Sequence, residues 1–257
     1  MTKSLFNIRY AFLTMKGGFW SFFTVNIIRS IEFVVLIFVW KLNPNATPAI
    51  ISYLTIGKAY ERIYSNSFGG LMASYINSGS HTKVLLYPVS YFWYNFQQVL
   101  GYNTTRNSSH TLLILFLGLV FFSNDMIFRY DNLLWLLIFI PINLVLHFTI
   151  SFIIGCSAFW IRNKGDVNNF CSAAYTAIGI LSGGIIPLNI MFKDYTWLQY
   201  NPFAFLLHWP MQIYLNDYNI STKLSLVGFA LAWTAVLFIL SRFLFKFGLR
   251  KNESVGL

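Results

Sequence analysis

Charged side chains are scarce in this sequence. They make up 10% of its 257 residues, and hydrophobic residues make up 56%. Soluble domains carry about 25% charged residues, because their cores need a polar shell. This composition does not supply such a shell, so the apolar excess is expected to face lipid.

Acidic residues are fewer still, with 8 Asp and Glu against 18 Lys and Arg, for a net charge of +10. An excess of basic over acidic residues is common in nucleic-acid-binding proteins, but no basic cluster or binding motif accompanies it here. Membrane proteins also collect basic residues, on their cytoplasmic loops. The charge therefore favours membrane lipid, and not nucleic acid, as a partner.

The motifs of catalysis and cofactor binding are missing. The nearest fragment to a phosphate-binding GxxxxGK[ST] loop is Ile56-Gly57-Lys58, without the upstream glycine or the following Ser/Thr. HExxH, GxSxG and GxGxxG are absent, and Cys156 and Cys171 form no CxxC pair. We expect no catalytic, metal or cofactor site and no ATP hydrolysis by this chain. His147 is expected to be a hydrogen-bonded interior residue, not a ligand.

Long apolar runs are what the sequence does have. A helix needs about 20 mostly apolar residues to cross a membrane. The run 49–72 is irregular because it contains Lys58, Glu61 and Arg62, and the run 133–160 is irregular because Pro141 interrupts it. Six runs qualify, namely 20–40, 49–72, 111–128, 133–160, 170–191 and 224–245. They predict an all-α, six-span membrane protein.

A single domain, 1–257, is expected, with a six-helix bundle over 20–247 and a tail over 248–257. If the N-terminus is cytoplasmic, the inside segments hold eleven basic residues and the outside segments hold four. This bias satisfies the positive-inside rule, and the inverted orientation does not. The sequence thus predicts a multi-pass protein of a bacterial inner or plasma membrane, with both termini in the cytoplasm.

Three segments outside the spans are expected to contact the membrane or a partner. Residues 1–19 have apolar residues at helical spacing, which favours an interfacial helix over an irregular leader. The cytoplasmic loop 74–110 and the outer loop 192–223 are too long and too aromatic for simple connectors. The outer loop has apolar runs too short to cross, which predicts short re-entrant helices shielded by protein.

Ionisable residues inside the first two spans are the sharpest physical feature. Arg29 and Glu32 lie three apart on the first, and Lys58, Glu61 and Arg62 cluster in the second. Charges at membrane depth are costly and face protein or water. They either line a polar passage or form a structural ion-pair network between the two helices. Opposite signs are available on both helices, which favours the network.

The segment 181–217 resembles the signature of type-2 ABC exporter permeases. A Leu-Ser-Gly-rich stretch leads to a proline, and further prolines follow a short outer segment. The matching residues are Leu181, Ser182, Gly183, Gly184, Pro187, Pro202, Phe203 and Pro210. Residues 76–79 and 85–90 are similar to the cytoplasmic motif of the family, and 159–162 is a weaker match. Tyr87 departs from it, because relatives often carry a basic residue there.

The resemblance implies a permease subunit that forms half of a transmembrane pore. Such chains work as pairs, identical or related, and bind two separate ATPase subunits that carry the ATP and magnesium. They move apolar or amphipathic substrates out of the cytoplasm. By the same analogy the first, second and fifth spans line the path, and the motif from Gly183 to Pro210 forms an outer gate.

The candidate for contact with the ATPase lies within residues 78–91. Gly79 permits a turn after the second span, and Pro88 can start a following helix. Leu85 and Leu86 would insert into a groove of the ATPase, with Lys83 at the rim. The alternative is a linker that lies on the membrane.

Two other classes of function remain. A membrane channel or scaffold without an ATPase fits six helices and a basic inner face equally well. A membrane-embedded enzyme would need paired acids, histidines or a nucleophile, which the sequence lacks.

Overall fold

The computed structural model describes residues 19–43, 47–103, 107–161 and 163–253, which are helical with no β-strand. The predicted N-terminal interfacial segment and the last four residues lie outside this description. The α-helices are α1 (Phe19–Lys41), α2 (Pro48–Tyr64), α3 (Phe68–Asn77), α4 (His81–Leu85), α5 (Tyr91–Tyr102), α6 (Ser108–Phe122), α7 (Leu133–Cys156), α8 (Lys164–Leu181), α9 (Leu188–Met191), α10 (His208–Leu215) and α11 (Ile220–Glu253).

Three helical stretches in the described part of the chain are long and apolar enough to cross a membrane. They are Ser108–Asp125, Tyr130–Phe159 and Ile220–Lys251. The last contains the sixth predicted span, and the first two overlap most of the third and the fourth. Only 17% of the apolar window of the last stretch is buried against protein. Most of the surface of α11 is therefore not covered by the rest of this chain.

Helix α7 is the centre of the bundle and packs against α2, α3, α10 and α11. The predicted interruption at Pro141 is wrong, because α7 runs through it as one helix. Proline removes one backbone hydrogen bond, and neighbouring helices in a membrane bundle can accommodate that loss.

The second predicted span is two helices, so the expectation of one helix over 49–72 is wrong. Helix α2 ends at Tyr64 and α3 begins at Phe68. The carbonyl groups at the end of α2 accept hydrogen bonds from side chains 39 and 42 residues away. Asn103 Nδ2 donates to the Tyr64 carbonyl (3.2 Å), and Asn107 Nδ2 donates to that of Ser65 (2.8 Å).

The fifth predicted span, 170–191, also ends early. Helix α8 stops at Leu181, and the chain turns through Gly183, whose φ is +81°. A positive φ suits glycine because it has no Cβ to clash. The four-residue α9 follows.

Helices α3 and α7 cross at glycines. A Cβ on Gly69 would lie 2.7 Å from the Ser151 carbonyl oxygen, and one on Gly155 would lie 2.8 Å from Met72 Cβ. Small residues let helix backbones approach closely in membranes. Beside this crossing, buried aromatic rings of α3, α5 and α7 pack together, with Phe92 and Phe152 centroids 5.2 Å apart.

We predict that Gly69→Ala destabilises the protein and that its neighbour Gly70→Ala does not. The added methyl at Gly69 forces α3 and α7 apart, at a cost of about 1–3 kcal/mol, whereas a Cβ at Gly70 meets nothing within 4 Å. Thermal unfolding in mild detergent measures both variants. Equal midpoints would contradict the close crossing.

Candidate substrate cavity and coupling segment

A polar cavity of about 700 Å³ lies among α1, α2, α7 and α8. Four of the five predicted intramembrane charges line it, namely Arg29, Glu32, Glu61 and Arg62. Polar side chains from α7 and α8 complete the wall, among them His147, Ser172, Tyr175 and Thr176. The helix packing thus brings the charges of the first two predicted spans into one cavity.

The fifth charge, Lys58, pairs with Glu61. Its Nζ lies 2.9 Å from Glu61 Oε2, and both side chains are mostly buried, at 19% and 24% exposure. This ion pair lies within α2, three residues apart, and the ion-pair network between the first two spans stays a prediction. The pair neutralises one carboxylate at the cavity wall.

Arg62 is the cavity residue with an unmet hydrogen-bonding group. Its Nε is buried and has no acceptor among the residues that the structure describes. A planar guanidinium favours carboxylates and phosphates, which accept from it at two points. The wall therefore combines two arginines with Glu32 and the paired Glu61.

The cavity reaches the break between α2 and α3. There Asn66 Nδ2 lies 3.0 Å from His147 Nδ1, so His147 is hydrogen-bonded within the bundle, as the sequence predicts. Asn66 Oδ1 accepts from the Phe68 backbone N–H at 3.1 Å. The asparagines at this break were not predicted from the sequence. The sequence pattern that could have identified them is several amide side chains at the junctions of apolar helices.

A second cavity, of about 570 Å³, meets the first at this break. Asn66, Ser67 and Tyr102 line both cavities. The second one extends between α3, α4 and α5 to Lys83, and four tyrosines line it: Tyr75, Tyr87, Tyr94 and Tyr102. The two adjacent cavities together extend from the charged cluster to the predicted coupling segment.

The predicted outer-gate residues occupy the turns between α8 and α10. The Tyr53 hydroxyl donates to the Gly183 carbonyl (3.1 Å), which ties α2 to the turn, and Gly184 lies next to it. Pro187 immediately precedes α9, and Pro210 lies in the first turn of α10.

Asn201 shapes the turn that contains Pro202 and Phe203. Its Oδ1 accepts from the Phe203 and Ala204 backbone N–H groups, at 2.9 and 3.0 Å. Its Nδ2 donates to the Leu181 carbonyl at 3.3 Å. This non-helical backbone is therefore hydrogen-bonded within the protein.

The predicted coupling segment forms α4 and the bend after it. Gly79 turns the chain with φ +72°. Lys83 is exposed, and Leu85 and Leu86 are exposed by 39% and 86%. Pro88 lies in the bend, and the next helix begins three residues later, so the expectation that Pro88 starts it is wrong.

His81 anchors α4 to the bundle. Its ring contacts that of Phe159 edge-on, at 5.9 Å between centroids. Burial lowers the pKa of His81, and the hydrogen bond of its Nδ1 with the Tyr75 carbonyl acts in the opposite direction. A lowered pKa keeps the imidazole neutral at physiological pH, as an apolar contact requires.

The two ends of the bundle differ in charge pairing. At one end Lys41 pairs with Asp125 and Arg129 pairs with Asp217, each at 2.6 Å. The other end brings the start of α5 to the C-terminal half of α11, where Arg242 Nη1 donates to Ser90 Oγ (2.9 Å). That half of α11 holds Arg242, Lys246, Arg250 and Lys251.

Apolar helices beside a half-open polar cavity are typical of a helical membrane transport protein. A family model described as ABC-2 family transporter protein matches residues 41–256. The chain therefore belongs to the ABC-2 transporter family and is a permease subunit of an ABC transporter, which confirms the resemblance of its motifs. Comparisons with curated proteins and with solved structures returned no match.

We predict that Lys58 and Glu61 stabilise the fold as a unit. Lys58→Met and Glu61→Gln should each destabilise it, and the double variant should lose less than the sum of the two single losses, because each single change leaves one buried group without its partner. The coupling should be about 1–3 kcal/mol, measured by denaturant unfolding in detergent.

The matched control is the same cycle on Lys41 and Asp125. That pair is more exposed, at 39% and 38%, so its coupling should be about 0–1 kcal/mol. Equal coupling energies for the two pairs would contradict a stabilising role for burial of the Lys58–Glu61 pair.

Proposed function

We propose that this chain is the transmembrane subunit of an ATP-driven exporter that moves an amphipathic substrate out of the cytoplasm. It crosses the membrane six times with both termini inside, and its energy comes from two separate ATPase subunits. The lack of a phosphate-binding loop in the sequence supports a borrowed energy source.

The observation that carries the proposal is the pair of adjacent cavities, which share Asn66, Ser67 and Tyr102 in their walls. A polar and charged interior at membrane depth is costly unless it serves a path or a site. The tyrosine-lined cavity offers both apolar ring faces and hydroxyl groups, and the charged cavity offers ionic groups. This combination suits a substrate that has an apolar part and a polar part.

The exposed apolar side chains after Gly79 support contact with an ATPase. Leu86 is 86% exposed, and Tyr87 and Val89 are more than half exposed. Exposed apolar side chains that cluster in this way outside the bundle favour contact with a protein partner. A short helix that docks in a groove of the ATPase can transmit its motion.

Helix α8 supports pairing with a second permease chain. Its buried residues, Val167 and Cys171 among them, lie on one face. The opposite face is exposed and carries Asn169, Ser172 and Thr176 at helical spacing. Polar residues on a membrane helix avoid lipid, so this face suits a second chain across a shared path.

Leu86→Asp should abolish co-purification with the partner ATPase and leave the fold intact, because a charge cannot enter an apolar groove. Leu42→Asp is the control, since Leu42 is equally exposed, at 84%, next to α1 at the other end of the bundle. Co-expression, mild-detergent purification and identification of the bound chains measure both.

An unchanged yield of ATPase with Leu86→Asp would refute the docking role. If the unmodified chain brings down no ATPase with a phosphate-binding loop, the protein is the channel or scaffold considered above, and the exporter proposal fails.

Thr176→Cys should form a cross-linked dimer in native membranes, because α8 faces its partner across the path. The control is Val236→Cys, which lies exposed on α11 and faces lipid. The two native cysteines are buried and contribute little background. Cross-linking at Val236 but not at Thr176 would place the interface elsewhere.

A further inference from the structure

A third cavity, of about 460 Å³, lies on a different side of the bundle, between α11, α7 and the start of α5. Its wall is apolar and mostly aromatic, formed by Phe92, Phe152, Phe238, Ile239, Phe243 and Phe245. It shares no residue with the two adjacent cavities. It therefore does not belong to the proposed substrate path.

Two cations stand at the rim of this cavity. Arg242 and Lys246 are both exposed and lie four residues apart, on one face of α11. Neither makes an ion pair with any residue that the structure describes. Arg242 donates one hydrogen bond to Ser90 Oγ, and the other donors of its guanidinium fork are available to a ligand.

The cavity opens toward lipid. Ile239 and Phe243, on its wall, are 55% and 58% exposed on the outer face of α11. The apolar wall lies beside two cations at the basic end of the bundle, which is the cytoplasmic end in the orientation proposed above. Basic pockets on the cytoplasmic side of membrane helices bind lipid head groups.

We propose that this cavity is a binding site for an anionic phospholipid of the cytoplasmic leaflet. The phosphate contacts Arg242 and Lys246, and an acyl chain lies among the phenylalanine rings. A guanidinium fork binds phosphate oxygens at two points, and an ammonium adds a point charge. The apolar wall stabilises a bound acyl chain but offers no favourable contact to a small hydrated anion.

Such a lipid would contact the coupling segment as well as α11. Leu85, at the end of α4, and Ser90, before α5, line the same cavity. The lipid would thus join α11 to the segment proposed to meet the ATPase. The inference rests on the orientation proposed above, but not on transport or on an ATPase partner.

Binding is measured on the purified full-length chain in detergent, by native mass spectrometry with phosphatidylglycerol and with phosphatidylcholine of the same acyl chains. Phosphatidylglycerol should bind about tenfold or more tightly. The variant Arg242→Gln/Lys246→Gln should lose this preference. The control Arg250→Gln should keep it, because Arg250 lies exposed on α11 and outside the cavity wall.

A second variant tests whether an acyl chain occupies the cavity or only the head group binds to the two cations. Ile239→Trp adds bulk at an exposed position of the wall and should weaken phosphatidylglycerol binding about tenfold, with both cations in place. Inorganic phosphate should not compete at millimolar concentration. A monodisperse size-exclusion profile for each variant ensures that loss of binding is not loss of fold.

Four results would overturn the proposal. They are equal binding of the two lipids, equal losses with Arg250→Gln and with the double variant, full binding by Ile239→Trp, and displacement of the lipid by inorganic phosphate. Because no ATPase is present, none of these outcomes bears on the exporter function, which the co-purification experiment tests separately.

Discussion

Backbone hydrogen bonding in the absence of water constrains the whole bundle. Carbonyl and N–H groups at membrane depth need partners in the protein. At the break between α2 and α3, amide side chains supply those partners. Asn103 and Asn107 are almost fully buried and cap the end of α2, and Asn66 caps the start of α3. The chain can therefore leave helical geometry inside the bundle.

The break between α2 and α3 lies beside the charged residues of the first cavity. Glu61 and Arg62 lie in the last turn of α2, so the charged cavity ends where the helix ends. The two cavities meet at the same point, beside Asn66. A continuous second helix would fill this space with backbone and apolar side chains. The interruption of the helix therefore leaves room for the two cavities.

Several elements were predictable because they depend on local chemistry. The apolar runs within α6, α7 and α11 predicted membrane helices, and Gly79 predicted a turn that the structure shows with positive φ. The turn at Gly183 was not predicted, because the apolar run continues through it. Other elements were not predictable in this way. Pro141 predicted an interruption, yet α7 runs through it as one helix. The break after Tyr64 depends on asparagines of a distant segment.

The sequence by itself determined that the chain is an apolar, basic membrane protein of the ABC-2 family, without a phosphate-binding loop. Composition and short motifs decide this, because they reflect the solvent around the chain and the chemistry it can hold. Only the tertiary structure decided which charges share a cavity, and that Lys58 pairs within its own helix. It also set Arg242 and Lys246 beside an aromatic pocket. Such contacts depend on how helices pack, which no local pattern specifies.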